Sequence, residues 1–276
     1  MITKIKDYFD GLFQLSIGNF FWWFIGISLF IYLLEILTPW RKKQSFLRKD
    51  FWLDVFYMFF NMYIFPAVIL NFTARFVHGN FMQLLSSIGI GNTTLINFES
   101  VPWTLQLLIL FLIRDFVHFN IHRLLHRFNW LWEFHKIHHS VKEMGFAAHL
   151  RYHWFEGVIY KILEFLAFMW IGFGVTDFFI VYVFTLLIGH LNHANLKFPL
   201  GVFKYLLNNP QMHIWHHAKE LPNKYGVNFG LTLSIWDYLF KTDYIPADGR
   251  DIELGFDKEE KFPKGFFKQF IWPIKL

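Results

Sequence analysis

Histidine is the residue type in this chain with the clearest capacity for chemistry, and most of its fourteen copies stand in short boxes. The boxes are HRLLH (122–126), HKIHH (135–139), HLNH (190–193) and HIWHH (213–217). On a helix, positions i, i+3 and i+4 share one face, so each box presents its imidazoles side by side. Such stacking suits a metal ion and not an apolar core, because protonated rings repel one another and buried neutral rings need partners.

The four boxes hold ten imidazoles, and nine or ten ligands are more than one octahedral ion can bind. This number suits two metal ions, with positions left for water, oxygen or substrate. The chain has no cysteine, so no thiolate selects zinc or copper(I), and iron, zinc, copper and nickel all stay open. Asp115 precedes His122 by seven residues on the same helical face. We expect its carboxylate to accept the outer ring N–H of a ligand histidine.

The surrounding sequence predicts that these boxes are held at a membrane. Of the 276 residues, 55% are hydrophobic and only 17% are charged, whereas soluble domains carry about a quarter charged residues. Five apolar runs are candidates for membrane helices. They are 20–37, 51–72 with a kink expected at Pro66, 101–113 continuing through Arg114 and Asp115, 158–173, and 177–191.

Charge predicts the orientation of these runs. Basic residues favour the cytoplasmic side of short loops, which places the basic segment 41–49 inside and the segment 78–100, without Lys or Arg, outside. All four histidine boxes then fall on the cytoplasmic side. We therefore expect an all-α, polytopic membrane protein with four to five transmembrane or membrane-embedded helices and a cytoplasmic helical lobe.

The same pattern predicts a single membrane-embedded domain over 1–276. It divides into N-terminal membrane helices (1–113), the histidine-box region (114–242) and a cytoplasmic amphipathic tail (243–276). The N-terminus carries Asp7 and Asp10 and no cleavage site of small residues, so we expect it to be retained. The net charge of +5 is explained by membrane orientation, and no nucleic-acid partner is expected.

From Asp115 to Thr242 the motifs resemble the fatty acid hydroxylase / sterol desaturase superfamily, in order and with similar spacing. The matching elements are Asp115 with HRLLH, HKIHHS (135–140), HAN (193–195), PQMHIWHH (210–217), KYG (224–226) and WDYLFKT (236–242). The resemblance implies that the metal ligands are His122, His126, His135, His138, His139, His193, His213, His216 and His217. His190, His118, His153 and Asp115 are candidates for additional ligands or for side chains that support the ligands.

The resemblance also implies the chemistry. Members of the superfamily are di-iron oxidoreductases that use O2 and external electrons to hydroxylate or desaturate an unactivated C–H bond of a membrane lipid, such as a fatty acyl chain, sphingolipid or sterol. No catalytic residue beyond the metal ligands is expected. Electrons would come from a separate ferredoxin or cytochrome with its reductase, and zinc could replace iron in a purified protein.

Two other functions compete with this interpretation. A membrane transporter or sensor for zinc or iron would also collect histidines, although transporters place their ligands near the bilayer midplane. A zinc hydrolase would need a carboxylate base, and the sequence has no H-E-x-x-H motif. We therefore expect an oxygenase and keep the transporter as the alternative.

Overall fold

The computed structural model describes residues 2–68, 101–169 and 175–274, and the isolated positions 83, 86, 87 and 89; the side chains of 2–5, 165–169 and 175 are not described. Regular structure in these ranges is helical, apart from two isolated β-bridges, which confirms the predicted all-α class. The helices are α1 (Ile2–Leu12), α2 (Phe20–Leu37), α3 (Phe51–Phe59), α4 (Trp103–Arg127), α5 (Asn129–His139), α6 (Trp154–Met169), α7 (Val175–His193), α8 (Pro210–His216), α9 (Ile235–Phe240) and α10 (Phe266–Ile271).

Three helical segments in the described ranges are long and apolar enough to cross a membrane: Phe20–Leu37, Phe51–Val68 and Trp103–Arg127. The third runs on through Arg114 and Asp115 into the first histidine box, as predicted. The predicted fourth and fifth runs correspond to α6 and α7, which are not among these three. The segment 78–100, His78 included, and the turn between α6 and α7 lie mostly outside the described residues.

Helix α2 shows why these segments belong in a bilayer. Its core side buries Phe24 and Ile31, while Leu29, Phe30 and Leu33 on the opposite side are 61%, 55% and 52% exposed. Large apolar side chains exposed along a whole helix face are costly in water and favourable in lipid. The chain is therefore a membrane protein whose helices present apolar surface both to each other and to lipid.

The second membrane segment changes its winding before Pro66. Helix α3 continues into a π-helical turn at Phe60–Ile64, in which the backbone N–H of Phe65 donates to the carbonyl of Phe60. Proline has no N–H to donate to the preceding turn, so the α-helical hydrogen-bond pattern cannot continue unchanged through Pro66. The winding changes in the residues just before Pro66, and the kink predicted at Pro66 itself stays a prediction.

The histidine boxes sit where helices begin, end or turn. Extended backbone at Phe128 (φ −101°, ψ 120°) separates α4 from α5 and folds them into a hairpin that carries five boxed histidines. Helix α7 ends at His193. Helix α8 begins after Asn209, whose side-chain oxygen accepts from the Met212 N–H at 3.0 Å, with Pro210 at the first helical position.

Two carboxylates, the buried Asp54 and the half-buried Glu35, tie the membrane helices to the box region. Asp54 pairs with Arg48 at 2.5 Å and with Arg151 at 2.9 Å. Glu35, near the end of α2, accepts backbone N–H groups from Phe146 and Asn195 at 2.9 and 2.6 Å. Because an unpaired buried charge is strongly destabilising, these contacts fix the segment after α5 and the end of α7 relative to α2 and α3.

The C-terminal tail packs on the same framework. The Phe266 ring of α10 lies 4.6 Å from the Phe56 ring and 4.7 Å from the Phe60 ring. The Trp272 indole N–H donates to the carbonyl of Glu133 at 3.0 Å. The tail therefore contacts both the second membrane segment and α5.

Candidate metal centre

The nine histidines that the sequence predicts as ligands come together in two buried groups. Within each group every residue offers one ring nitrogen, and these nitrogens lie within 4.8 Å of one another. The five-histidine group consists of His122, His126, His135, His139 and His216, and the four-histidine group of His138, His193, His213 and His217. All nine side chains are buried.

The two H-x-x-H-H boxes contribute to the groups crosswise. His135 and His139, the first and fifth positions of the α5 box, join the five-histidine group, whereas His138 joins the other. In the second box the exchange is reversed: the fourth position, His216, joins the five-histidine group, and His213 and His217 join the four-histidine group. Neighbouring helix positions point about 100° apart, so a helix that lies between two sites can serve both.

Backbone carbonyls determine which nitrogen of several rings carries the proton. The Nδ1–H of His122 donates to Phe229 at 2.8 Å, and that of His216 to Val227 at 2.7 Å. His138 and His193 donate in the same way, to the carbonyls of Arg151 at 3.2 Å and Gly189 at 2.8 Å. A carbonyl can only accept, so the Nε2 atoms of these four rings keep free lone pairs.

Two of these lone pairs face each other. The Nε2 atoms of His138 and His193 are 3.2 Å apart, and neither carries a hydrogen. A contact between two acceptors in a buried site is repulsive unless a cation lies between them or beside them. This contact is therefore evidence that the four-histidine group is built for a positive ion.

Further ring nitrogens in the groups have no hydrogen-bond partner although they are buried. They are Nε2 of His126, His139 and His216 and Nδ1 of His135, His213 and His217. Burial also lowers the pKa of His138, His139, His213 and His217 well below the ordinary value, and that of His216 to about 3. The neutral ring is the form of histidine that binds metal, and an all-imidazole donor set accommodates iron.

One loop supports the five-histidine group, and Asp237 holds it. The Asp237 carboxylate accepts the backbone N–H groups of Phe229 and Gly230, both at 2.8 Å, and the Thr242 hydroxyl at 2.6 Å. Burial raises the pKa of Asp237 to about 6, against the opposing effect of these hydrogen bonds. The WDYLFKT motif thereby fixes the carbonyl of Phe229 that orients His122.

Asp115 holds the same loop, and the expectation that it accepts from a ligand ring was wrong. Its carboxylate accepts from the backbone N–H of Thr232 at 3.2 Å, the N–H of Leu233 at 3.1 Å and the Trp236 indole at 2.9 Å. Seven residues place it on the face of His122 but about 10 Å away along the helix axis, beyond direct contact with that ring. The loop carbonyl of Phe229 reaches His122 instead.

The three other candidate histidines lie outside both groups. His190 Nδ1 is 3.0 Å from His149 Nδ1, and its Nε2 is 3.1 Å from the Ser28 hydroxyl. The His118 ring stacks on Tyr160 at 4.3 Å, and His153 Nε2–H donates to the carbonyl of Phe270 at 3.0 Å. These side chains pack around the centre and do not lie among the nine histidines of the two groups.

Glu156 is the residue near the centre that sequence reasoning missed. A Glu156 carboxylate oxygen lies 3.1 Å from His135 Nδ1 without hydrogen-bond alignment, whereas the nearby Arg151 pairs with Asp54. Burial raises the pKa of Glu156 well above its ordinary value. Because Glu156 and His135 belong to different helices, no local spacing in the sequence connects them.

A cavity of about 370 Å³ reaches both histidine groups. His122 and His135 of one group and His138, His193 and His213 of the other line it, together with apolar side chains that include Met62, Leu150 and Leu186. Its wall also contains residues of α4, α6 and α7, so it runs from the histidines into the helix bundle. A partly apolar cavity that opens on paired ligand groups can admit an alkyl chain to a metal centre.

The fold and the site define a helical membrane protein with two buried all-histidine groups beside one cavity. Residues 107–242 match the family model for fatty acid hydroxylase. Through this region, which contains all nine histidines, the chain belongs to the fatty acid hydroxylase superfamily.

Several curated proteins are similar to the chain over this region. Ornithine lipid hydroxylase OlsE of Rhizobium tropici is 30% identical over 173 residues, 63% of this chain and 51% of the relative. Alkylglycerol monooxygenase of Xenopus tropicalis is 32% identical over 147 residues, 52% of this chain and 31% of the relative. Very-long-chain aldehyde decarbonylase GL1-10 of Oryza sativa subsp. japonica is 31% identical over 142 residues, 50% of this chain and 46% of the relative. The chain thus spans about half or less of each relative, and no solved structure shows significant similarity to it.

Proposed function

We propose that this protein is a membrane oxygenase that uses O2 and external electrons to hydroxylate an unactivated C–H bond of a bilayer lipid. The observation that carries the proposal is the shared cavity, because it is lined by ligand-type histidines from both buried groups. Two ions beside one partly apolar cavity suit oxidation of a single substrate carbon. They do not suit the passage of ions through the protein.

The nine histidines would hold two iron ions, one in each group. When bound, the irons would supply dioxygen activation and the removal of hydrogen from the lipid. The carbonyls of Phe229, Val227, Arg151 and Gly189 keep four rings in the tautomer that binds metal. The cavity wall would exclude bulk water and position one carbon of the lipid beside the groups.

The relatives favour hydroxylation over desaturation. Two of them bear names for oxygen insertion, ornithine lipid hydroxylase and alkylglycerol monooxygenase. A third is named for decarbonylation of a very-long-chain aldehyde, so the common element of the three names is a lipid. We therefore propose a lipid with a long alkyl chain as the substrate and leave its head group to experiment.

The charge pattern supports a cytoplasmic orientation of the centre. The basic segment 41–49 follows the C-terminal end of α2, and positive residues favour the cytoplasmic side. Since α4 begins after the segment without Lys or Arg, its histidine end would face the cytoplasm. A cytoplasmic centre would receive electrons from a separate, soluble or membrane-associated carrier.

The proposal is tested by measuring metal, oxygen consumption and lipid products together. The full chain is purified anaerobically, loaded with ferrous iron, and given reductant, O2 and lipids of the host. We expect two irons per chain, and lipid products with one added oxygen that His138→Ala abolishes. His153→Gln is the matched control, because His153 lies outside both groups and glutamine can keep the hydrogen bond to Phe270. If the chain carries zinc across vesicles and oxidises no lipid, it is a transporter and the proposal fails.

A further inference from the structure

A basic groove of about 510 Å³ lies at the end of α4, next to the five-histidine group. Arg123 and Arg127 line it from the helix, and Asn223, Tyr225 and Gly226 line it from the segment that follows α8. The lining contains two arginines and no carboxylate. Its local charge is therefore positive.

Both arginines are available to a partner. In the described part of the chain neither forms an ion pair with a carboxylate; instead they lie over aromatic rings. The Arg127 guanidinium is 4.2 Å from the centre of the Tyr225 ring, and that of Arg123 is 5.0 Å from the Phe240 ring. Contacts with ring faces leave the guanidinium edges free to donate hydrogen bonds to carboxylates.

The floor of the groove comes very close to a ligand-type histidine. Gly226 has φ +89°, and a Cβ atom at this position would lie 2.9 Å from His126 Nδ1. Phe229, also in the lining, has its ring 5.2 Å from the His126 ring. At this point the backbone of Gly226 therefore lies between the groove and the five-histidine group.

We propose that this groove is the docking site for an acidic electron-carrier protein. The inference rests on the proposed function, since inserting one oxygen atom into a C–H bond consumes O2, two electrons and two protons and releases one water. The rate of electron transfer falls steeply with distance, so the carrier must bring its cofactor close to the histidine groups. There the cofactor is oxidised as the metal site is reduced. A concave basic groove fits a protruding acidic segment of a protein better than it fits a planar lipid surface.

Binding and electron transfer test this directly. The probe is a plant-type [2Fe–2S] ferredoxin, whose surface is acidic, added to the full chain in nanodiscs of neutral phosphatidylcholine. We expect Arg123→Glu combined with Arg127→Glu to weaken ferredoxin binding and slow reduction of the iron-loaded chain by about tenfold or more. Added salt should slow ferredoxin-dependent reduction of the parent protein, because it screens the attraction, and should not slow that of the double variant. Arg250→Glu is the control, because Arg250 is exposed, pairs with Asp251 and does not line the groove.

Reduction by photoreduced deazariboflavin, an uncharged small molecule, separates docking from folding and from metal binding. It should proceed at the same rate in the parent protein and the double variant. Unchanged ferredoxin binding and reduction in the double variant would overturn the docking site. So would an effect seen only in nanodiscs with anionic lipid, which would assign the groove to lipid. If deazariboflavin reduces the iron-loaded chain but no lipid is ever oxidised, the proposed function fails, while ferredoxin binding to the iron-free chain still decides the docking site.

Discussion

His138 Nε2 and His193 Nε2 lie 3.2 Å apart, and both are the unprotonated nitrogens of their rings. His138 comes from the end of α5 and His193 from the end of α7, so the contact joins two helices that are distant in sequence. Two lone pairs held together in a buried site store repulsion that a bound cation would relieve. The fold thus holds these two rings in a geometry that a bound metal ion would stabilise.

Metal should therefore stabilise the folded chain. We expect the iron-loaded or zinc-loaded protein to unfold at a higher temperature than the same protein after chelation. At a free metal concentration one hundred times the dissociation constant, a single site adds about 2.7 kcal/mol to the free energy of unfolding. The measurement is thermal unfolding in detergent, followed by circular dichroism. Equal unfolding temperatures with and without metal would contradict a metal centre.

Each H-x-x-H-H box supplies histidines to both groups, and this division predicts how many irons a given double variant loses. His138→Ala and His213→Ala remove ligands from the same group, so the double variant should lose one iron of two. His138→Ala and His139→Ala are adjacent in sequence but belong to different groups, so this pair should lose both. Iron per chain, measured by mass spectrometry, distinguishes the two cases. Equal iron content in the two double variants would contradict the division.

Asp115 should act on the centre through the loop it holds. Asp115→Ala removes the acceptor of two buried backbone N–H groups and of the half-buried Trp236 indole N–H. Each buried donor left unsatisfied costs about 1–3 kcal/mol. We expect a lower unfolding temperature and faster loss of iron to a chelator. Asp115→Asn keeps one acceptor oxygen and should be milder in both measurements. If Asp115→Ala changes neither, the loop does not depend on this carboxylate.

Gly226 should tolerate no side chain, because of its contact with His126. Gly226→Ala combines a positive φ with a Cβ atom 2.9 Å from His126 Nδ1, so we expect iron per chain to fall from two toward one. Gly201→Ala is the matched control: Gly201 also has a positive φ, +54°, but nothing lies within 4 Å of its Cβ position. Similar iron loss in both variants would show that backbone strain alone, and not the contact with His126, is responsible.

The sequence predicted the helical fold and identified the nine histidines that converge, because box spacing and hydrophobic runs are local properties. The sequence could not predict how the nine histidines divide between the two groups, since that depends on how α5 and α8 lie relative to each other. The same limit explains the error at Asp115 and the omission of Glu156. Their positions depend on a loop and a helix that approach α4 and α5 only in the folded protein.

Oxygen labelling in a single turnover tests the proposed lipid hydroxylation directly. The iron-loaded, reduced chain is mixed with host lipids and ¹⁸O2, and the lipids are analysed by mass spectrometry. We expect a lipid product that carries one ¹⁸O atom on an alkyl carbon, in an amount no greater than the number of loaded centres, and no such product with His138→Ala. The absence of labelled lipid from a chain that holds two irons and consumes oxygen would contradict the proposed hydroxylation.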